Sequence, residues 1–359
     1  MQLTGTLDGA TEHQPRARVA LSAALASGPS HSYLLRGPRG SGKRAAARAF
    51  AAEILAAGAE DPDDARRRAL LDPSPHPDLV WIAPRGAQHL VEEVREQVIR
   101  AAVYRPFEGG KRVFVIEAAE AMRDESQNAL LKTLEEPPDF VHLILLTADP
   151  ELLLETVASR CQPIDFAPLP VSAIEAVLQG AGDPVEIAAV ARLSAGDLER
   201  ARYLLSDSGR QLRASVNGLG KEGETPWRKL LAAAEKAGED AEAATREALE
   251  EERAAGVKRS ARDLNDEVKR VARQRRTEIL DLGLELAATW FRDLAAVAAG
   301  ASEVAYSQDR LTQLQSQAEE IDPARARQSV ELIQDTRRRL DLNVSEELAL
   351  EALAARLVA

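Results

Sequence analysis

Residues 37–48 read GPRGSGKRAAAR, and the fold turns on how that stretch and its flanks are understood. A turn of the form G-x-x-x-x-G-K lets successive backbone N–H groups face inward around phosphate oxygens, and its lysine reaches the terminal phosphates. Gly37, Gly42 and Lys43 meet that form, with Gly40 inside the turn. An apolar run, 33–36, enters it and an alanine-rich helical stretch, 43–57, leaves it, so strand, loop and helix stand in the order a phosphate loop requires. The next position breaks the pattern. Where a Ser or Thr hydroxyl would hold Mg²⁺ stands Arg44, cationic and without an oxygen.

Outward from the loop, residues 79–82, the run from Arg112 and residues 141–148 are further apolar stretches of strand length. Residues 91–102 and 151–157 have helical spacing, and SQNALLKTLEEPP, 126–138, is a helix stopped by two prolines. Alternating helices and wholly apolar strands predict a parallel sheet covered on both faces. Beyond about residue 168 the strand pattern ends. Residues 169–215 read as a small helical unit and 216–359 as helical throughout. Within the latter, 235–276 is almost wholly charged or alanine, acidic first (EALEEER) and then basic (VKRVARQRR). Val257, Ala261, Leu264, Val268 and Val271 form a narrow seam at steps of four and three, the spacing of a helical hairpin or short coiled coil. Acids and bases interleave through much of it, which favours a solvated surface over a nucleic-acid-binding tract.

A chain of 359 residues is longer than one compact core usually supports, which predicts two or three domains. Apolar residues make up 45% and charged ones 29%, a globular balance. One cysteine, Cys161, excludes an intramolecular disulfide framework and a cysteine-rich zinc site. His13, His31, His76, His89 and His142 are scattered without the paired spacing of a metal site, so no metal is expected. No basic stretch leads into an apolar core at the start of the chain, and no run of about 18 apolar residues occurs, so a cytoplasmic protein without a membrane partner is expected. A net charge of −12 argues against a protein that coats DNA with its whole surface.

Phosphoryl-transfer enzymes of this loop type place an acid for Mg²⁺ at the end of a buried strand, usually with a second to polarise water. After VFVI come Glu117 and Ala118: the first is a methylene longer than the usual Asp, and the second has no base. With Arg44, three positions fail on one reaction. Thr147 ends the next strand where a polar side chain senses a γ-phosphate, and Ser159-Arg160-Cys161 follows. A chain that does not split ATP has little use for a catalytic arginine in its own site, but one supplied to a neighbour is worth about 10³ to 10⁵ in rate. Plainer roles exist for each residue. The glycine cradle suits a nucleotide or phosphate held without turnover, Arg160 suits a helix-end cation, and Cys161 suits a small core residue.

Several motifs carry a resemblance: HSYLL at 31–35, HPDL at 76–79, NALLKTLEEPP at 128–138 and Ser159-Arg160-Cys161, with WFRDL at 290–294 and RRLDLNVSEELALEALAARL at 338–357. They resemble the delta-prime subunits of bacterial DNA polymerase III clamp loaders, of the AAA+ class. The resemblance implies a RecA-like α/β domain (1–168), a helical lid (169–215) and a helical collar (216–359), leaving the charged hairpin at about 235–276 unexplained. It implies a non-motor member of a five-subunit ring with motor subunits and a delta subunit. Arg160 is then a finger for the adjacent motor, with Ser159 and Cys161 as its motif. It also implies loading of the sliding clamp on primed DNA as part of the polymerase holoenzyme, a nucleotidyltransferase, with no ATPase activity of its own. No cofactor is required, and ATP or phosphate in the degenerate loop is compatible. The family's zinc module has no counterpart here, since no cysteine lies in 55–75. In the lid, Gly196-Asp197-Leu198-Glu199 puts an acid where active relatives carry a sensing arginine, with Arg200 one step later. Two other readings compete: a working ATPase, as motor subunit or other AAA+ remodeller, and a DNA-binding or scaffold module.

Overall fold

A computed structural model describes residues 6–84, 88–217, 226–254, 261–340, 342 and 344–358. The chain divides into two compact units, Met1–Pro170 and Val171–Ala359.

In the first unit the elements run α1 (Leu7–Ala10), α2 (Pro15–Ser27), β1 (Ser32–Arg36), α3 (Lys43–Ala56), α4 (Pro62–Leu70), β2 (Leu79–Ile82), α5 (Val91–Val94), β3 (Arg112–Ile116), α6 (Asp124–Glu135), β4 (Val141–Thr147), α7 (Glu155–Ala158) and β5 (Gln162–Asp165). The five strands form one parallel sheet in the order β2-β3-β4-β1-β5. Alternation along each strand sends side chains to two separate cores. Tyr33, Leu35, Val113, Val115, Ile144 and Leu146 pack with Phe50 and Ile54 of α3. Leu34, Phe114, Ile116, Leu143 and Leu145 pack on the other face with Leu130 and Leu134 of α6. This is the RecA-like α/β layer structure expected for an AAA+ domain.

Two details depart from the sequence reading. The expected helix 151–157 is a 3₁₀ turn at Pro150–Leu152 followed by the single turn α7. β5 carries no strand signal of its own: three of its four residues are exposed and Pro163 interrupts it, as an edge strand tolerates. Its place is fixed by β1, with Tyr33 opposite Gln162 and Arg36 opposite Asp165.

The second unit is helical: α8 (Val171–Leu178), α9 (Pro184–Leu193), α10 (Leu198–Leu205), α11 (Asp207–Val216), α12 (Pro226–Ala254), α13 (Ala261–Ala298), α14 (Leu311–Ala318), α15 (Pro323–Leu340) and α16 (Glu346–Val358). Asp183 caps α9 through the N–H groups of Val185 and Glu186, and Asp197 caps α10 through that of Arg200. α12 and α13 run antiparallel: Gly238 faces Ala272, and Gly283 faces Leu230 so closely that a Cβ there would stand 2.2 Å from its Cδ1. Leu212 of α11, in the stretch assigned to a lid, meets the same Gly283. Of the seam read from sequence, Val268 is buried and Leu264 and Val271 are half-buried, while Val257 lies outside the described residues. Trp290, Phe291 and Leu294 of WFRDL are buried, and Asp293 beside them accepts the N–H groups of Tyr306 and Ser307 at 2.9–3.0 Å.

Candidate phosphate loop and arginine finger

The loop joins β1 to α3, and its neighbours fix its shape. Gly37 donates its N–H to the Thr147 carbonyl at 3.2 Å, and a Cβ on Gly37, at φ 149°, would lie 2.1 Å from the Phe166 carbonyl oxygen. Only glycine fits there. Gly42, at φ 91°, turns the chain into α3. The Gln14 side chain closes the loop from behind: its Nε2 donates to the carbonyls of Ser41 (2.9 Å) and Ala167 (2.7 Å), and its Oε1 accepts the Ala167 N–H (3.0 Å). Sequence reasoning gave Gln14 no role, since its partners lie 27 and 153 residues away. Lys43 bends over its own loop, where Nζ donates to the carbonyls of Gly37 (2.5 Å) and Pro38 (2.7 Å) and reaches Ser41 Oγ at 3.4 Å.

Arg44 is not an idle replacement. Its Nε lies 2.8 Å from Glu117 Oε1 and its Nη2 2.9 Å from Asp72 Oδ2. Arg48, one turn on, holds Asp72 Oδ1 at 3.0 Å and the Leu71 carbonyl at 2.5 Å. Both guanidiniums lie over the Trp81 ring, 5.8 and 4.3 Å from its centroid, and Trp81 Nε1 donates to Glu117 Oε1 at 2.7 Å. Burial pulls the Arg48 pKa down while Asp72 opposes the shift, so this guanidinium remains a cation. Mg²⁺ does not fit this residue set: the one carboxylate at the strand end already serves a guanidinium and an indole, and no hydroxyl ligand follows Lys43. Ala118, held at φ 46°, offers only a methyl group, and His89 Nε2 binds the neighbouring Glu117 carbonyl at 2.6 Å. Thr147 is buried, with Oγ1 accepting the Asp149 N–H at 3.1 Å, and Glu120 accepts the Ala148 N–H at 3.2 Å. Gly37, Gly40, Gly42, Lys43, Arg44, Glu117 and Thr147 thus gather at one end of the sheet.

Arg160 does not join them. It precedes β5, whose first residue is level with Tyr33, whereas the chain reaches the loop only at Phe166 and Ala167. Arg160 stands on the turn before β5, and the four strand residues Gln162–Asp165 alone put about 13 Å between that turn and the loop end. The guanidinium is part-exposed, with Nη1 donating to the Thr156 carbonyl at 2.9 Å and Nη2 lying 2.6 Å from Glu135 Oε1. Glu135 is the last residue of α6, in the LEEPP run. Ser159 Oγ donates to the Thr156 carbonyl at 3.4 Å, and Cys161 is buried, its thiol pushed up to about 12 by desolvation. The motif therefore presents a cation on a tight turn anchored by its cysteine.

HPDL has a role that its letters hide. The Asp78 carboxylate, fully buried, accepts the N–H groups of Phe107 (2.8 Å) and Glu108 (2.7 Å) and so fixes the loop before β3. In the second unit, Arg200 makes a paired contact with Glu285 of α13 at 3.0 Å through each of two nitrogens.

A RecA-like parallel sheet carrying a glycine loop has the architecture of an AAA+ domain, and in this chain an arginine follows the loop lysine. Residues 13–170 match the family described as DNA polymerase III, delta subunit, and the chain is similar to delta-prime subunits. The delta-prime subunit of Bacillus subtilis (strain 168) is 34% identical over 151 residues, covering 41% of this chain and 45% of its own. That of Pseudomonas aeruginosa is 36% identical over 196 residues, 52% and 59%. A gamma/tau subunit of Mycobacterium tuberculosis (strain ATCC 25618 / H37Rv) is 33% identical over 170 residues, 46% and 29%. The chain spans about half the length of the delta-prime relatives it matches. A DNA polymerase III gamma subunit-related protein from Thermotoga maritima superposes with a TM-score of 0.47 at 17% identity, covering 96% of this chain and 98% of that one. Among the described residues, no helix is long and apolar enough to cross a membrane.

Proposed function

We propose that this chain is a non-motor subunit of a replicative clamp loader: it does not hydrolyse ATP and supplies Arg160 to the nucleotide site of a neighbouring motor subunit. The observation that carries the reading is the separation of Arg160 from its own loop, combined with the Arg44–Glu117 pair where a metal would sit. A finger that its own site cannot use, beside a site that cannot hold Mg²⁺, is the chemistry of a trans contributor. Its partners are motor subunits and a delta subunit in a five-membered ring, and through that ring the sliding clamp and primed DNA. No cofactor or zinc is needed, and a nucleotide or phosphate in the loop stays unhydrolysed. The similarity to gamma/tau subunits supports a second reading, an active motor subunit; that reading requires the purified chain to turn over ATP. The deciding experiment is the DNA-stimulated ATPase of a reconstituted loader. Arg160→Ala is expected to lower it by about 10³ or more with assembly intact, and wild-type turnover by that loader sinks the proposal.

A further inference from the structure

Residues 261–277 of α13 carry six cations against three acids, in a chain of net charge −12. Composition leaves a solvated surface as the plain account, but the geometry segregates the charges. Glu267 is buried at 6% exposure, and Asp266 lies 4.0 Å from Arg262. Two cations are engaged elsewhere: Arg275 lies over the Tyr203 ring at 5.0 Å, and Arg276 reaches Glu346 at 2.7 Å. Lys269, Arg270 and Arg273 remain exposed. Among the described residues none of these three has a carboxylate within ion-pair distance or a side-chain hydrogen bond.

Several arginines elsewhere in the chain are paired with an acid. Arg36, Arg44, Arg66, Arg160, Arg200 and Arg210 each have a carboxylate oxygen within 3.0 Å. Of the acids on α12, Glu242 is held by Arg246 at 2.7 Å and Glu235 reaches Arg276 at 3.6 Å, so neither neutralises these three cations. At 3.6 residues per turn, Lys269, Arg270 and Arg273 fall within about 100° of one helix face, and Lys269 and Arg273 stand about 6 Å apart along the axis. Three adjacent cations kept unneutralised on a protein rich in acids cost self-repulsion unless a polyanion completes them.

We infer that this face of α13 binds the phosphate backbone of duplex DNA without reading its sequence. Charge complementarity selects a polyanion, and the surroundings select the duplex. No Phe, Tyr, Trp or His occurs between residues 228 and 289, and Tyr203, which packs on this part of α13, is covered by Arg275, so the helix itself offers no ring on which the bases of a single strand could stack. Contacts made by Lys and Arg to phosphates position a protein on DNA but carry no sequence information. The inference rests on α13 alone and stands or falls apart from the loop and Arg160.

The test uses the full chain and fluorescence anisotropy with a labelled duplex of about 30 base pairs of arbitrary sequence over a salt series. The wild-type chain is expected to bind with log K falling steeply with log salt. The triple variant Lys269→Gln/Arg270→Gln/Arg273→Gln is expected to lose about tenfold or more in affinity at low salt and to flatten that slope by about 2 to 3, near 0.9 per lost phosphate contact. Arg273→Gln alone flattens it by about 1, and Arg270→Lys/Arg273→Lys retains the wild-type slope. Circular dichroism and thermal melting check that the variants fold; should the triple variant not fold, the contrast between the two milder variants decides the question in its place. Unchanged affinity and slope in the glutamine variants overturns the inference. So does tighter wild-type binding of oligo-dT or poly-glutamate than of the duplex, with those cations needed for it.

Discussion

Arg44 Nε stands 2.8 Å from Glu117 Oε1, so the two side chains at the positions that would share a metal ion hold each other instead. Each also has a further tie, Arg44 to Asp72 and Glu117 to Trp81. Repair of one position is therefore expected to leave the site without turnover. Arg44→Thr restores a hydroxyl but leaves Ala118 without a base, and it is expected to show no Mg²⁺-dependent ATP hydrolysis by the purified chain. The Arg44 side chain is more than half exposed, and exposed ion pairs contribute at most about 1 kcal/mol, so the variant should fold. ATP turnover above background by Arg44→Thr would show that the pair, and not the missing base, is the barrier.

Asp78 is expected to matter more for stability than any ion pair at the loop. It is fully buried and its two oxygens accept separate N–H groups, those of Phe107 and Glu108. Asp78→Ala leaves both donors unmet and should cost about 2 to 4 kcal/mol, while Asp78→Asn, which keeps one acceptor, should cost roughly half as much. Urea unfolding of the two variants, compared with wild type, measures the difference. Equal stability of all three would mean that water replaces the carboxylate at no cost.

The sheet was legible in sequence where its strands are apolar throughout, as at VFVI and VHLILLT, because burial on both faces leaves an unbroken apolar run. β5 was not legible: an edge strand with one buried residue of four has no pattern to read, and only its register with β1 makes it a strand. The same division holds at the site. Arg44, Glu117 and Arg160 stand inside motifs of known spacing and were read directly. Gln14, Asp72, Trp81 and Glu135 act through partners distant in sequence, and no local spacing joins them to those partners. The charged hairpin falls between these cases, since its composition was plain but the segregation of its unpaired cations needed the geometry of α13.

His142 gives the first unit an acid-sensitive element. Burial on β4 lowers its pKa to about 4 from the 6.5 of a free imidazole, with Lys111 and the stacked His31, 5.7 Å away, adding to the shift. The unfolded chain thus binds the proton more readily than the folded one between those values, and stability must fall as pH drops. The contribution is complete above pH about 6.5 and lost towards pH about 4, amounting to at most about 3.5 kcal/mol at about 1.4 per unit. His76 and His89, also lowered by burial, act in the same direction. The comparison that isolates His142 is the stability difference between pH 7 and pH 4.5 in wild type and in His142→Gln. The variant should lose part of that difference, and an identical pH dependence would assign it to the other two histidines.

Glu135 and Arg160 supply the last test. The arginine is held at 2.6 Å by a carboxylate and at 2.9 Å by the Thr156 carbonyl, and both side chains of the ion pair are part-exposed. Such a pair contributes under about 1 kcal/mol, so Glu135→Gln should leave the fold intact. If Arg160 completes a neighbour's site, it must exchange Glu135 for a phosphate oxygen, and Glu135 then acts on the reaction only through Arg160. Glu135→Gln alone is expected to change the reconstituted loader's ATPase by no more than about threefold. Combined with Arg160→Ala it should add nothing to the loss from Arg160→Ala, a fully non-additive cycle. A further drop in the double variant would mean that Glu135 reaches the neighbouring subunit by a route of its own, and the pair would then be two contacts with that subunit, with Glu135 no longer acting as a holder of the finger.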